Sequence, residues 1–474
     1  MTVLEFHEKL KTGKASAREL ISAYLEKIKK ENKSLNAYLE VFEEDAIAQA
    51  QKIDERIASG ETPGVLWGVP VAVKDNILIE GKIASASSKI LENYIASYSA
   101  TAVKKLEKAG AIILGRTNMD EFAMGSSTEN SAYGATRNPL DHSRVPGGSS
   151  GGSVAAVAAD LAVLGLGSET GGSVRQPAAF CGVVGLKPTY GAVSRNGLIA
   201  MASSLDHIGP IAKNIGDCKI LFDAIKGKDD FDSTSMDPGP ALPAGRLRTM
   251  DNVKRIGIPK EYFEDGLDER IKKSINNLVK RLEKKYEIRH VSLPHTKYAL
   301  ACYYIIMPAE ASSNLARFDG IRYGVQKKAD DILGVYEKSR GAGLGLETRR
   351  RILLGTYVLS SGYYDAYYSR AQKVRNLIAK DFENVFKEVD VLLTPATPTL
   401  PFKFGEKTKD PVAMYLADIY TAPANLVGIA GISLPVGFVP EGGKNLPIGA
   451  QLLAPSFCED RLFEAGEYIE NLVK

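Results

Sequence analysis

The sequence predicts an α/β fold built around a largely buried sheet. Two observations carry this: short apolar, β-branched runs, and segments of helical period that separate them. A chain of 474 residues is long enough to bury a sizeable core.

The elements follow in order. Thr2-x-x-Glu5 and Ser16-x-x-Glu19 read as capping boxes, each opening a helix. In the second helix Leu20, Ile21, Tyr24, Leu25 and Ile28 share one face, leaving Glu26, Lys27, Lys29 and Lys30 for solvent. A third helix is expected from Asp45 to Ile57, so residues 1–60 read as N-terminal helices. Val69–Val73 reads as a strand, and Ala111–Leu114 as another after the helix-like Ala102–Leu106. Lys226 to Asp251, rich in Gly, Pro, Asp and Ser, reads as a surface connection. Ile256–Ile258 returns to strand. Residues 297–388 carry much helical and almost no strand signal and read as a helical insertion packed on the sheet. Val391–Leu393, Ile432–Val436 and Ile448–Leu452 resume the sheet within 389–474, which ends in a helix. There is no internal repeat.

Composition narrows the function classes. Hydrophobic residues are 44% and charged residues 25%, ordinary for a globular protein. Sixty basic against 57 acidic side chains leave +3, too little to argue for a nucleic-acid or membrane surface. No run of 18 apolar residues predicts a membrane span, and the charged start resembles neither a signal nor a transit peptide. Cys181, Cys218, Cys302 and Cys458 are scattered, which predicts free buried thiols and fits a cytoplasmic location. The five histidines form no HxH or HExxH pattern, so no metal is expected.

The segment most suggestive of chemistry is Pro146-Gly147-Gly148-Ser149-Ser150-Gly151-Gly152-Ser153, followed by the small-residue run Val154–Ala159. A second turn, Ser168-Glu169-Thr170-Gly171-Gly172-Ser173, repeats the texture. Three readings compete. A flexible linker is not followed by a packed apolar helix. A Walker phosphate loop needs Gly-Lys-Ser/Thr, and no lysine stands here. An acyl-transfer site, in which glycine amides cradle an oxyanion, fits best. Gly147–Gly151 also matches G-x-S-x-G, but the nucleophile elbow wants a strand directly before it, and Asp141–Pro146 is none. Lys74, ending the apolar run Val71-Ala72-Val73, supplies a base. Lysines usually lie on the surface, yet burial at a strand end disfavours the ammonium, and a neutral amine can take a proton.

Together, Gly68-Val-Pro-Val-Ala-Val-Lys74-Asp-Asn, Gly147-Gly-Ser149-Ser-Gly-Gly-Ser and Thr170-Gly-Gly-Ser173-Val-Arg-Gln-Pro resemble the amidase signature family. Ser149 stands 75 residues after Lys74, and Ser173 a further 24 on, which fits that family. The resemblance implies a Ser–cis-Ser–Lys triad. Ser173 would be the nucleophile, Ser149 the proton relay and Lys74 the base, with Thr170, Gly171 and Gly172 in the oxyanion hole. It also implies one domain over 1–474, a central mixed sheet covered by helices on both faces, and a catalytic core at 61–225.

Glu121–Asn130, Ser360–Tyr368 and Thr421-x-Pro423-x-Asn425-Leu426 look like one branch of the family, the A subunits of glutamyl-tRNA(Gln) and aspartyl-tRNA(Asn) amidotransferases. That likeness implies L-glutamine as substrate. Arg351 would hold its carboxylate, Asp418 its α-ammonium, and Tyr303, with Tyr304 the alternative, would line the pocket. Opposite charges placed apart suit a free amino acid, and arginine suits a carboxylate. Without the likeness, Arg351 and Asp418 read as helix-surface charges. The branch further implies two partners: a small C subunit, and with it a B subunit that uses ATP and Mg to amidate tRNA-borne glutamate or aspartate. This chain would hold no cofactor. The alternatives are a stand-alone hydrolase of another small amide and a catalytically silent scaffold. Two positions depart from the family's usual residues: Glu169 stands for Asp and His207 for Gln.

Overall fold

The computed structural model describes residues 1–237, 252–264 and 266–474. At the N-terminus both capping boxes form. Thr2 and Ser16 accept the amides of Glu5 and Glu19, whose carboxylates reach back to the cap amides. Helix Val3–Lys11 and helix Ala17–Leu35 follow, the latter burying Leu20, Ile21, Tyr24, Leu25 and Ile28. The third helix is Glu43–Ala58.

Eleven strands form one sheet: β1 Tyr38–Val41, β2 Pro70–Lys74, β3 Ile112–Thr117, β4 Leu164–Glu169, β5 Val184–Lys187, β6 His207–Ala212, β7 Arg255–Pro259, β8 Glu287–Val291, β9 Val391–Pro395, β10 Ala430–Glu441 and β11 Lys444–Ala454. Their spatial order is β1-β3-β2-β4-β6-β5-β10-β11-β9-β7-β8. Strands β3, β2 and β4 run parallel, as do β9, β7 and β8, while the middle of the sheet is antiparallel. Helices cover both faces, so the central strands are buried throughout and carry the core.

Strands β1, β4, β5, β6 and β8 were not expected from the sequence. Three of these, β4, β5 and β6, contain glycine where another chain segment comes close. A Cβ on Gly167 would lie 2.8 Å from Ser150 Oγ, one on Gly185 2.8 Å from Val174 O, and one on Gly209 2.4 Å from Leu186 O. Glycine permits the approach and erases the β-branched signal by which strands are recognised.

Between residues 296 and 388 the described chain is helical, with helices Ala299–Asn314, Ile332–Gly343, Leu346–Leu359 and Arg370–Val385 and no strand. Helix Leu346–Leu359 crosses Ala299–Asn314 so closely that a Cβ on Gly355 would meet Pro308 O. Of the connection read at 226–251, residues 238–251 lie outside the described residues. Asp229 and Asp232 fasten its first part, accepting from Thr101 and Ser194 and from Arg195.

Helix Gly151–Ala158 packs against β2 and β4. A Cβ on Gly152 would lie 2.3 Å from Asn118 O and 2.7 Å from Ala37 O, both backbone atoms that cannot swing aside. Gly152→Ala gains roughly 1 kcal/mol of helix propensity. Overpacking costs about 1–3 kcal/mol and is expected to win. The variant should therefore unfold at lower urea than the native chain; an unchanged or higher midpoint would show that the contact yields.

Candidate active site

Strands β2 and β4 are parallel neighbours, paired from Val71↔Leu164 to Val73↔Leu166, so their C-terminal ends lie side by side. The first delivers Lys74 and the second the turn Thr170–Ser173. The loop Gly147–Ser150 completes the edge: Ser150 N donates to Ser173 O at 3.0 Å. The peptide bond Gly148–Ser149 is cis. Gln176 and Thr128 hold this loop, Gln176 Oε1 accepting from Gly148 N at 3.0 Å and Thr128 Oγ1 donating to Gly147 O at 2.7 Å.

Lys74 is fully buried. Its Nζ lies 2.7 Å from Ser149 Oγ, 2.8 Å from Ser150 Oγ and 3.1 Å from Ser168 O. Ser150 Oγ donates its own proton to Ser168 O at 3.0 Å, so it accepts from Lys74. A neutral amine has two protons and one lone pair. With its protons directed at Ser150 Oγ and Ser168 O, the lone pair faces the Ser149 hydroxyl. Burial pushes the Lys74 ammonium down to about 7, against the opposing pull of Asp120, Glu169 and Asp206.

The second turn is held from outside. Thr170 Oγ1 donates to Asp206 Oδ1 at 2.8 Å, and Asp206 Oδ2 accepts from Met201 N and Ala202 N. Among the described residues, no backbone acceptor takes the amides of Gly171, Gly172 or Ser173. These amides are free to meet developing negative charge.

Two tyrosines and two charged groups stand against this turn. Tyr303 covers Gly171, where a Cβ would meet its ring. Asp418 is buried, with Oδ1 3.4 Å from the position of a Cβ on Gly172. Its Oδ2 accepts from Ser126 Oγ at 2.8 Å and from Tyr304 OH at 3.3 Å, and burial pushes the carboxyl up to about 7. Arg351 is 3% exposed, not the surface charge its triplet Arg349-Arg350-Arg351 suggests. Its Nε donates to Glu347 Oε1 at 2.6 Å.

A family model described as Amidase matches residues 19–463. The chain belongs to the amidase family. It is 54% identical to the A subunit of glutamyl-tRNA(Gln) amidotransferase from Carboxydothermus hydrogenoformans, over 99% of this chain and 97% of that one. It is 51% identical to its counterpart from Caldanaerobacter subterraneus, over 100% and 96%. A crystal structure of the Thermotoga maritima counterpart superposes with a TM-score of 0.79 at 42% identity, covering 98% of this chain and 93% of that one. Peptide amidase from Stenotrophomonas maltophilia gives 0.81 at 27% identity, over 100% and 97%.

Glu169 and His207 both belong to the network beneath the turn. Glu169 Oε2 accepts from Val174 N and Arg175 N, each at 3.0 Å, and Oε1 from Arg175 Nε at 2.8 Å. Burial alone would raise this carboxyl, but Arg175 outweighs it and Glu169 stays below its ordinary value. Arg175 is itself fully buried, donating also to Gln451, Asn425 and Thr421 O. His207 Nδ1 faces Glu169 O and Nε2 faces Lys187 Nζ, both at 3.3 Å; burial drives this imidazole well below its ordinary value, so it is neutral.

The structure brings together Lys74, Ser149, Ser173, Thr170, Gly171 and Gly172, and sets Asp418 and Tyr303 beside them. Arg351 is joined to this group through Tyr304. Sequence reasoning missed Ser126, Glu347 and Tyr415. Of these, Glu347 was within reach, because a carboxylate four residues before an arginine on one helix is a recognised pairing. Among the described residues no cluster of His, Cys, Asp or Glu could hold a metal ion, and no helix is long and apolar enough to cross a membrane.

Neutral burial of Lys74 opposes folding wherever the unfolded chain would protonate it. The folded group titrates near 7 and the unfolded one near 10.5, so its stability contribution improves as pH rises through that window. Lys74→Met should therefore raise the unfolding midpoint at pH 7–8, the gain shrinking towards pH 10.5. Lys187, pushed down to about 7 by the same cause, leaves a residual dependence in both proteins. A lower midpoint for the variant at pH 8 would show that the amine stabilises the fold.

Proposed function

We propose that this chain is the glutamine-hydrolysing subunit of a tRNA-dependent amidotransferase. The observation that carries the reading is the buried Lys74 amine against Ser149, beside a turn whose amides await an acceptor. The full-length likeness to amidotransferase A subunits supports glutamine as the substrate.

In this reading Ser173 attacks the side-chain amide carbon and passes its proton through Ser149 to Lys74. The carbonyl oxygen becomes an anion held by the amides of Thr170 to Ser173. Ser149 then protonates the departing nitrogen and recovers its proton from Lys74, leaving a glutamyl ester on Ser173 and free ammonia. Water, deprotonated along the same relay, attacks the ester and releases glutamate. Asp418 takes the α-ammonium, Arg351 the α-carboxylate, and Tyr303 closes the pocket over Gly171.

The ammonia passes to a B subunit, which activates Glu-tRNA(Gln) or Asp-tRNA(Asn) with ATP and Mg, and a small C subunit completes a cytoplasmic heterotrimer. No ATP loop is legible in this sequence, in keeping with activation in the partner. This chain itself needs no cofactor.

If Lys74 is the base, arginine cannot replace it, because a guanidinium keeps its proton. Lys74→Arg should lose at least about a hundredfold in glutaminase turnover, the low end of what a general base supplies. The native enzyme should gain kcat/KM with rising pH through about 7, since the unprotonated amine is the active form. Asp418 titrates in the same range and adds to the rise on glutamine, so an uncharged amide isolates Lys74 from it. Substantial rescue by arginine would reject the neutral-lysine relay.

Asp418→Ala tests the substrate. Removing one partner of a desolvated ion pair costs on the order of 2–5 kcal/mol, or about 30- to several-thousand-fold in kcat/KM for glutamine. An uncharged aliphatic amide should lose far less. Equal losses on both would return the chain to a general amidase.

A further inference from the structure

Arg351 reaches its place through contacts that the glutamine reading does not contain. Its helix, Leu346–Leu359, carries Glu347 one turn earlier, and Glu347 Oε1 accepts from Arg351 Nε at 2.6 Å. The same oxygen accepts from Tyr415 OH at 3.0 Å. The Arg351 guanidinium carbon lies 4.5 Å from the centroid of the Tyr415 ring and 4.7 Å from that of Tyr304. These two rings stack on each other, centroids 4.0 Å apart and 17° from parallel.

The two hydroxyls of the stack serve different carboxylates. Tyr415 binds the one that faces Arg351, and Tyr304 binds Asp418. Two sites of opposite sign are thus joined by a pair of flat, rigid rings. Rings of this kind have only two side-chain torsions, so little entropy is lost in fixing them. Glu347 occupies the Nε edge of the guanidinium. On the other edge Nη1 meets the weak acceptor Met307 Sδ at 3.8 Å, and among the described residues no carboxylate takes that edge, which is left for a second one. Glu347 also receives the half-exposed Arg350, so its charge is shared by two guanidinium groups and does not cancel that of Arg351.

Resting on the glutamine reading, we infer that Glu347 and Tyr415 are specificity-determining positioning residues. They hold Arg351 edge-on to the α-carboxylate and, through the Tyr304–Tyr415 stack, set the span between the carboxylate and ammonium sites. The substrate class this selects is the free α-amino acid amide, with both α-groups charged and the chain length of glutamine.

The test is steady-state kinetics of the full chain, in its complex where it has one, with Glu347→Gln, Tyr415→Phe and Tyr415→Leu. Glu347→Gln should raise KM for glutamine about tenfold, the size of one charge-assisted hydrogen bond, with kcat little changed. Tyr415→Phe keeps the stack and should raise KM less than Tyr415→Leu, which removes it. Hydrolysis of butyramide, which has neither α-group, should be unaffected by all three. Equal loss of kcat on both substrates would make these residues structural and overturn the inference. So would a lower KM in Glu347→Gln, which would mark Glu347 as a competitor of the substrate. Arg351→Ala separates the two levels: if it leaves the glutamine KM unchanged, the glutamine reading itself fails. If it raises KM while the Glu347 and Tyr415 variants do not, only the clamp fails.

Discussion

A lysine amine kept out of water at the end of a central strand is the constraint on which the rest of this structure depends. Everything around Lys74 serves to keep it buried yet fully hydrogen-bonded. Two serine hydroxyls and one carbonyl take up its three positions, and a strand buried on both faces forbids a fourth partner. The carboxylates of Asp120, Glu169 and Asp206 lie near enough to pull it back towards the ammonium. Each is engaged elsewhere: Asp120 by the amides of Thr128 and Asn130, Glu169 by Arg175, and Asp206 by Thr170 and two amides. None is positioned as a direct ion-pair partner, and desolvation prevails.

The same economy governs the turn that carries Ser173. Free amides at a buried site are costly unless a ligand takes them. The turn keeps its shape because the polar groups around those amides are tied down: the Thr170 hydroxyl, the Glu169 carboxylate and the Glu169 carbonyl all have partners. Arg175 anchors this arrangement to β11 through Gln451 and to helix Ala422–Val427 through Asn425. The Glu169 carboxylate reaches Val174 N and Arg175 N together and so ties the far end of the turn to its base.

Much of this was legible in the sequence, and the reasons are uneven. The peripheral helices announce themselves through capping boxes and apolar period, since those signals are local. Strand β2 is apolar and β-branched and was found; β4, which leads into the turn Thr170–Ser173, reads Leu-Gly-Leu-Gly-Ser-Glu and was not. Its glycines answer to the segments that fold back on it, Ser150 and Val157 just before the strand and Val174 just after it, a close approach that apolar period does not encode. The Gly-Ser turns and Lys74 stood out because their composition is rare for a core. Arg351 and Asp418 did not, being indistinguishable from helix-surface charges until the fold buries them, and only likeness to a family singled them out. Glu347 and Tyr415 lie beyond that, because their meaning depends on a ring stack between residues far apart in sequence.

The sheet order sets a schedule for making the protein. Strand β5 is seated between β6 and β10, and Arg175 is caged by Asn425 and Gln451, so the middle of the sheet waits for the last tenth of the chain. Pairings between such distant segments are slow to form, because loop closure precedes any gain from contact. During synthesis β2 and β4 emerge early, yet β5 keeps an open edge until Ala430–Glu441 leaves the ribosome. A nascent chain therefore exposes a sticky strand and lacks the cage beneath the turn that carries Ser173. The turn that carries Ser173 gains its full support only after segments more than 200 residues apart in sequence have met, which makes folding of the sheet a check on assembly of the site.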